Sequence, residues 1–416
     1  MRLITFLGTG SYSETTYVWA GDSDGERTHT SRFASAAAAH MLDVDSLSIL
    51  ATPEARAMHG EAIELQFPDR LDVEWVPIPQ GRDDQELWEI FGVLGDCVSE
   101  GEILAMDVTH GFRSLPMVAI MAAAFLRASC GAQVRHLLYG AWDARDQTVT
   151  PPRTPIFDLT PMFCLMEWAV AADRFVRQGD ARDLAALLQE SNPPYHIRRG
   201  DPALQDLSRR LGPLAAHLRK LSDALLLGRT DRALDEAQAV PDALDGMRDD
   251  YPQSARPFVN LVEQIRSSFE PLMPIGTGQV SVLYQQRELI RWYLEREYYV
   301  QAATLAREWV VSWVALAQGA EDVLDTAARE AAEEYLHDMQ VLSKRGLSVQ
   351  SELQGISHSL NLGQVWGTMC DLRNDLAHAA MRRSPRTPEN LIETITRLLL
   401  ELDKFQLPIA DSKHST

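Results

Sequence analysis

The sequence predicts an α/β domain with a doubly wound, mostly parallel sheet, followed by an all-α region. Short apolar runs alternate with helical patterns up to a Pro-rich stretch at residues 151–155. From about Thr160 onward, 3.6-residue periodicity continues alone. Strands that alternate with helices favour a parallel sheet, because parallel neighbours need a crossover connection. The length of 416 residues is also enough for two or three domains.

Five apolar runs are predicted strands, because such runs suit strands that are covered on both faces. These runs are residues 3–7, 47–50, 73–76, 103–106 and 134–139. Helices are predicted at residues 36–39, where alanines cluster, and at 84–100 and 116–130. The helix at 84–100 has an apolar stripe that comprises Leu87, Ile90, Phe91, Leu94 and Val98.

Prolines divide the helical part of the chain. Pro193 and Pro194 interrupt it once, and residues 271–278 indicate a linker. We therefore predict an α/β domain at residues 1–158, a helical connector at 159–275 and a terminal helical domain at 276–416.

The formal net charge of −20 argues against a general nucleic-acid coat protein, because phosphate neutralisation needs a basic face. A nuclease with one local basic groove remains compatible with it, and the tightest basic cluster is Arg382, Arg383 and Arg386. No stretch is long and apolar enough to span a bilayer, and the N-terminus lacks a signal pattern, so we expect a cytoplasmic protein with no membrane partner.

The cysteines show no metal-ligand spacing. We expect reduced thiols within the core rather than zinc ligands. The four are Cys97, Cys130, Cys164 and Cys370.

The loop after the first predicted strand is the first candidate site. It contains Gly8, Thr9, Gly10, Ser11 and Tyr12. Backbone amides there could bind a phosphate or nucleotide. A dinucleotide fingerprint is absent, because Ser13 stands where GxGxxG needs its third glycine. The alternative is a plain turn from a strand to a helix.

The loop after the fourth predicted strand is richer in polar groups, and ligands of doubly wound sheets bind at such carboxyl ends. Its candidate residues are Asp107, Thr109, His110, Gly111 and Arg113. A hydrolase triad is excluded because GxSxG is missing. The donors favour binding of an anion or of base edges. Alternatively, Asp107 and His110 only hold the loop together.

A late amphipathic helix, predicted at residues 362–383, is the second candidate site. Its apolar stripe is Val365, Met369, Leu372, Leu376 and Ala379. Its polar residues include Arg373, Asn374 and His378. Histidine, with a reference pKa near ~6.5, can move protons in RNA cleavage, and arginine can stabilise the phosphorane charge.

The spacing of these residues predicts a shared site. Five helical positions differ by roughly 140°, so Arg373 and His378 would not converge on one helix, whereas Asn374 and His378 share a face. We infer a pocket completed by a second copy across a two-fold axis. The alternative is a surface arginine and a capping histidine.

These residues together resemble one family. Residues 6–12 with 15–17, and residues 107–116, resemble the DxTHG-motif CRISPR-associated proteins of type III systems, the Csx-type accessory nucleases. Residues 373–378 are similar to the R-x4–6-H motif of HEPN ribonucleases, which follows a CARF sensor domain in that family. The resemblance is dense over residues 1–190 and patchy from 280 onward, and residues 191–270 match nothing in it.

The resemblance implies a Rossmann-like CARF domain that dimerises and binds a cyclic oligoadenylate, with cyclic tetra-adenylate preferred over the hexa-adenylate. Binding would activate a HEPN domain that cleaves single-stranded RNA without a metal, in antiviral defence. The implied assembly is a homodimer or a higher even-numbered oligomer. The implied catalytic residues are Arg373, Asn374 and His378. The implied ligand contacts are Gly8, Thr9, Gly10, Ser11, Tyr12, Asp107, Thr109, His110, Gly111 and Arg113.

Other functions remain open from the sequence, of which a small-molecule enzyme of Rossmann type is disfavoured by the missing third glycine. The chain could be a messenger-binding regulator without catalysis, or a ring nuclease whose front loops degrade the messenger.

Overall fold

The computed structural model describes residues 1–20, 25–42, 44–68, 70–111, 114–192, 195–245, 256–274, 277–347, 353, 361–378, 381 and 383–407. The chain forms two compact units, Met1–Ala169 and Val170–Thr416. The first contains a sheet flanked by helices, and the second is helical. The predicted division of the helical part near residue 275 stays a prediction.

The first unit contains one eight-stranded sheet with the order β3-β2-β8-β7-β6-β1-β4-β5. The strands are β1 (Arg2–Leu7), β2 (Thr15–Trp19), β3 (Arg27–Ser31), β4 (Ser46–Ala51), β5 (Asp72–Pro77), β6 (Ile103–Asp107), β7 (Gln133–Gly140) and β8 (Arg153–Asp158). All neighbouring pairs are parallel except β2–β3 and β7–β8. The predicted mostly parallel sheet is therefore confirmed.

The five predicted strands all form, as β1, β4, β5, β6 and β7, but three further strands were not predicted. Strand β8 begins at Arg153, within the Pro-rich stretch, and ends at Asp158, before the point near Thr160 from which only helices were predicted. Pro155 has no N–H to donate to a neighbouring strand. Its carbonyl still accepts a hydrogen bond, from the Ala141 N–H at 2.9 Å. Strands β2 and β3 were missed because they lack continuous apolar runs.

Four helices cover the two faces of the sheet: α1 (Ala34–Leu42), α2 (Pro53–Glu64), α3 (Asp84–Asp96) and α4 (Leu115–Cys130). Helices α1 and α2 share a core with Leu3, Leu47 and Ile49. Helices α3 and α4 pack on the opposite face with Ile4, Leu104 and Leu137. The predicted helix at residues 84–100 is too long, because α3 ends at Asp96.

The remaining chain is helical: α5 (Thr160–Gln178), α6 (Arg182–Glu190), α7 (Tyr195–Arg198), α8 (Pro202–Leu226), α9 (Thr230–Asp245), α10 (Arg256–Phe269), α11 (Gln279–Glu295), α12 (Tyr299–Ala317), α13 (Thr326–Lys344), α14 (Leu362–Ala377) and α15 (Pro388–Glu401). No described residue after Asp158 lies in a strand, which confirms the predicted all-α region. The predicted linker contains a short 3-10 helix, Glu270–Leu272, and Gly278 caps α11. Pro193, Pro194, Ile275 and Gly276 lie outside the described residues.

The cysteines differ from their predicted core placement. Cys97, Cys130 and Cys370 are half-buried free thiols, and the side chain of Cys164 lies outside the described residues. Partial burial raises the pKa of Cys97 and Cys370 above the usual thiol range. Among the described residues, no helix combines the length and the apolar character needed to cross a membrane.

Candidate functional site

The topology places the first loop across one edge of the sheet. Strands β6, β7 and β8 separate β1 from β2, so the chain must cross roughly 19 Å between them. The seven connecting residues, 8–14, reach at most about 24 Å. The loop therefore crosses the edge formed by the carboxyl ends of β6 and β7. It leads into β2 and not into a helix, so the alternative of a strand-to-helix turn is wrong.

Tyr12 fixes the shape of this loop. Its hydroxyl donates to the Gly8 carbonyl at 3.0 Å and accepts the Gly8 N–H at 3.2 Å. His59 Nε2 lies 2.9 Å from the Gly10 carbonyl oxygen. The Tyr12 ring packs on His110, with 4.2 Å between the ring centroids. The Gly8 amide is thus used within the loop and is not presented to a phosphate.

Asp107 connects three strands at the same edge. Its buried carboxylate accepts the Thr5 hydroxyl at 2.8 Å, the Thr109 N–H at 3.1 Å and the Thr109 hydroxyl at 2.5 Å. Burial raises the pKa of Asp107, and the hydrogen bonds from the threonines oppose that rise. The Thr109 hydroxyl in turn accepts the Gly140 N–H at 2.7 Å. These bonds hold β6 to β1 and β7.

His110 joins the second loop to α1. Its Nε2 accepts the N–H of Ala34, the first residue of α1, at 2.9 Å. Burial lowers the pKa of His110 to about 4, so the ring is neutral at physiological pH. A side chain at Gly111 would place Cβ 3.0 Å from the Leu115 Cβ, which explains the need for glycine there. Arg113 lies outside the described residues.

A cavity of about 230 Å³ opens at this edge. It is lined by Ser11, Tyr12, Ser13, Tyr17, Arg32, Thr109, His110, Tyr139, Gly140 and Trp142. Four of the predicted contacts therefore line it: Ser11, Tyr12, Thr109 and His110. Gly8 and Asp107 are buried beside the cavity, whereas Thr9 and Gly10 are exposed and do not line it.

Sequence reasoning missed several lining residues, chiefly Arg32, Tyr139 and Trp142. Arg32 follows β3, a strand that was not predicted because its sequence is polar. Trp142 lies just beyond the carboxyl end of β7, and that position could have indicated a residue of the site. The Arg32 guanidinium lies 5.3 Å from the Phe33 ring centroid, and that of Arg145 lies 4.2 Å from the Trp142 ring centroid. Aromatic faces, hydroxyls and the Arg32 guanidinium thus meet at one cavity.

The second predicted site lies at the end of α14. Arg373, Asn374 and His378 are all exposed, and Arg373 Nη1 donates to Asn374 Oδ1 at 3.2 Å. His378 ends the helix, with its N–H donating to the Asn374 carbonyl at 3.1 Å. The predicted extension of the helix to residue 383 is wrong, because α14 ends at Ala377. Of the predicted stripe, Val365, Met369 and Leu372 are buried, Leu376 is half-buried and Ala379 lies outside the described residues.

Arg307 of α12 holds α14 in place. Its guanidinium lies 5.0 Å from the Trp366 ring centroid and pairs with Glu308 and with Glu333 of α13. Behind the polar end of α14, the buried Asp375 carboxylate accepts the Arg386 N–H at 3.3 Å. The position of α14 is therefore fixed from both sides.

A larger cavity, of about 580 Å³, lies elsewhere in the helical unit. Its polar lining includes Glu308 and Arg329, which form an ion pair, and Ser312, which accepts from Arg329 at 2.8 Å. Arg373, Asn374 and His378 do not line it. The predicted catalytic residues are thus exposed, and they line neither this cavity nor the one at the sheet edge.

Comparison with known proteins gives one limited similarity. No family model matches the chain. A stretch of 118 residues is 27% identical to the CRISPR-associated protein MJ1674 of Methanocaldococcus jannaschii. The match covers 28% of this chain and 18% of that protein, so the chain spans less than a fifth of its relative. The activity, substrates and partners of this chain are therefore proposals.

The chemistry of the sheet-edge cavity suits a nucleotide. Aromatic rings stack on bases of any sequence, and arginine binds phosphate oxygens in a forked geometry. Tyr12, Tyr139 and Trp142 provide rings, and Arg32 provides the cation. Its volume is below the ~300–1,000 Å³ of sites that enclose a whole small ligand. The cavity of one chain is thus too small to enclose a whole ligand of that size.

Proposed function

We propose that this chain is a CRISPR-associated, messenger-activated ribonuclease. The sheet-edge cavity binds a cyclic oligoadenylate, with cyclic tetra-adenylate preferred. The end of α14 cleaves single-stranded RNA without a metal ion once the ligand is bound. The observation that carries the proposal is the joining of both motif loops into one cavity with aromatic rings and Arg32.

The contacts of Arg32 support a role in binding phosphate. Arg32 is exposed at the carboxyl edge of the sheet. Within the described part of the chain, its guanidinium contacts the Phe33 ring and pairs with no carboxylate. An arginine that is held by a ring and keeps its donors free can bind an anion without first breaking an ion pair.

At the end of α14, His378 would transfer protons and Arg373 would stabilise charge on the phosphorus. Both side chains are exposed and five positions apart, so two copies of the helix end would together form one site. Asn374 shares a face with His378 and would orient the RNA.

The contacts of the front loop argue against a ring nuclease. A general base needs an available lone pair, but His110 Nε2 already accepts the Ala34 N–H. The Asp107 carboxylate already accepts three hydrogen bonds and does not line the cavity. These two groups act as structural ties in the sensor.

The binding step is tested with cyclic tetra-adenylate and cyclic hexa-adenylate by isothermal titration calorimetry. We expect Arg32→Gln and Trp142→Ala each to weaken binding roughly tenfold or more, since a charged hydrogen bond or a base stack contributes about 1–3 kcal/mol. Arg56→Gln and Trp88→Ala are matched controls, because both residues are exposed and neither lines the cavity. Binding that ignores the cavity variants would contradict the assignment of the ligand site.

The catalytic step is tested by cleavage of labelled single-stranded RNA in EDTA, with and without either ring. We expect cleavage only when one of the two cyclic oligoadenylates is present. His378→Ala should lower the cleavage rate at least a hundredfold, because a group that transfers protons typically accelerates a reaction by roughly 10²–10⁴. If the folded protein binds the cyclic oligoadenylate but cleaves no RNA, the ribonuclease proposal is wrong, and the remaining function is that of a non-catalytic, messenger-binding regulator.

A further inference from the structure

The cavity of about 580 Å³ in the helical unit has no part in the proposed function. The connection between α8 and α9, helices α11 and α12, and the first turn of α13 surround it. Its volume lies within the ~300–1,000 Å³ of sites that enclose a whole small ligand, whereas the sheet-edge cavity is smaller than that range. The side chains that line it therefore indicate what kind of small molecule it would take.

The charged groups at this cavity are already paired within the protein. Arg329 donates to the Glu308 carboxylate and, at 2.8 Å, to the Ser312 hydroxyl. Glu308 also pairs with Arg307, which in turn pairs with Glu333. Two arginines and two glutamates cancel in charge, so their summed field neither attracts nor repels an ion strongly. An ionic ligand would also have to break one of these pairs to find a partner of its own.

Uncharged polar side chains, by contrast, remain available to a ligand. The carboxamide of Gln286 and the hydroxyls of Thr230 and Thr304 line the cavity, and none of them has a hydrogen-bond partner within the described part of the chain. The Gln301 Nε2 donates to the Leu226 carbonyl at 3.2 Å, which leaves the carboxamide oxygen of Gln301 to accept. The cavity thus offers neutral donors and acceptors.

Large aliphatic side chains form the apolar part of the lining. Leu227, Val300 and Leu324 are 75%, 53% and 71% exposed, although all three face the same concavity. Exposed apolar side chains that gather around a cavity with a few polar groups are typical of a ligand site. They suit a ligand that has an apolar face.

We propose that this cavity binds an uncharged nucleoside. A nucleobase has two apolar faces and an edge on which donors and acceptors are neighbours. The aliphatic side chains cover its faces, and the carboxamides of Gln286 and Gln301 bind its edge, since glutamine pairs with bases through two adjacent hydrogen bonds. Thr230 and Thr304 provide hydroxyls for the sugar. This inference depends only on the cavity and is independent of the proposed function.

Equilibrium dialysis of the full chain against labelled adenosine, guanosine, cytidine and uridine tests the site. At least one nucleoside should bind with a Kd below about 1 mM, as expected for a ligand of this size. The corresponding 5′-monophosphates should bind no more tightly, because the charged groups at the cavity are paired. The proposal is overturned if no nucleoside binds, or if a monophosphate binds more than about tenfold more tightly than its nucleoside.

Variants on two of the lining helices locate the binding. Gln286→Ala removes one hydrogen-bonding group and should weaken binding roughly three- to tenfold. Thr304→Trp fills the cavity from an exposed position on α12 and should weaken binding at least about tenfold. Gln318→Ala and Gln318→Trp are matched controls, because Gln318 is exposed just after α12 and does not line the cavity. Equal affinities in the cavity variants and the controls would reject the site.

Trp142→Ala separates this site from the sheet-edge cavity. Nucleoside binding should persist in this variant, because Trp142 lines the other cavity. Binding that is lost in Trp142→Ala and kept in Thr304→Trp would place the nucleoside at the sheet edge and overturn the proposal. None of these measurements uses RNA or a cyclic oligoadenylate, so failure here is distinct from failure of the proposed function.

Discussion

At the scale of single residues, the two motif loops use several of their polar atoms to hold the fold together. The Thr109 hydroxyl donates to Asp107 and accepts from Gly140, and His110 Nε2 accepts from Ala34. These groups hold the walls of the cavity. Under the proposed function, the contacts with the ligand would come from other lining residues, such as Ser11, Arg32 and Trp142.

The state of His110 leads to a prediction about pH. Its pKa is lowered from 6.5 to about 4 in the folded protein, so the unfolded state binds more protons between these values. The free energy of unfolding should therefore fall as the pH drops below 6.5. By about pH 5 the loss should be roughly 2 kcal/mol.

Urea denaturation of the wild type and of His110→Gln at about pH 7 and about pH 5 measures this effect. Glutamine can still accept the Ala34 N–H but does not titrate, so the variant should lose roughly 2 kcal/mol less than the wild type on acidification. An equal loss in both proteins would show that His110 is not the group responsible.

The residue scale is also where sequence reasoning reached its limit. Periodicity placed both loops at strand ends, and four of the predicted contacts line the cavity. Periodicity could not separate a buried structural residue such as Asp107 from a lining residue, because burial depends on neighbours distant in sequence, here Thr5.

At the scale of elements, α14 lies unusually close to α13. A Cβ at Gly363 would lie 2.1 Å from the Met339 carbonyl oxygen, which belongs to the backbone. A Cβ at Gly367, one turn on, would lie 2.8 Å from the amide nitrogen of the Gln340 side chain. The backbone cannot move aside, whereas a glutamine side chain can.

We therefore expect Gly363→Ala to lower the free energy of unfolding of the helical unit by roughly 2–4 kcal/mol and to reduce RNA cleavage. Gly367→Ala, on the same face of the same helix, should cost less than about 1 kcal/mol. Urea denaturation followed by circular dichroism checks both. Equal destabilisation by the two variants would contradict the close packing of α13 and α14.

Element boundaries were predictable where one local pattern dominates. Buried apolar runs identified five strands, and alanines identified α1. Strand β3 was not recognised because its residues, Arg27–Ser31, are polar and its position depends on pairing with β2. Helix α14 was predicted too long because Ala379 continues its apolar stripe beyond Ala377, where the helix ends. The contact of the Asp375 carboxylate with the Arg386 N–H, eleven residues away, does not show in that pattern.

At the scale of the whole molecule, the net charge of −20 opposes RNA at long range. Under the proposed function, local attraction would come from the cations near the end of α14, of which Arg373, Arg383 and Arg386 are described. If each contacts one phosphate, single-stranded RNA binding should depend on salt with a log–log slope of about −2, or about −4 when two copies form one site.

Fluorescence anisotropy of labelled RNA with the His378→Ala protein, titrated from low to high salt, measures this slope. Arg383→Gln should make it shallower by about 0.7 per subunit, because one phosphate contact is lost. Arg209→Gln, an exposed arginine on α8, should leave it unchanged. A slope steeper than about −6 would require more phosphate contacts than the end of α14 provides and would place the RNA on another surface.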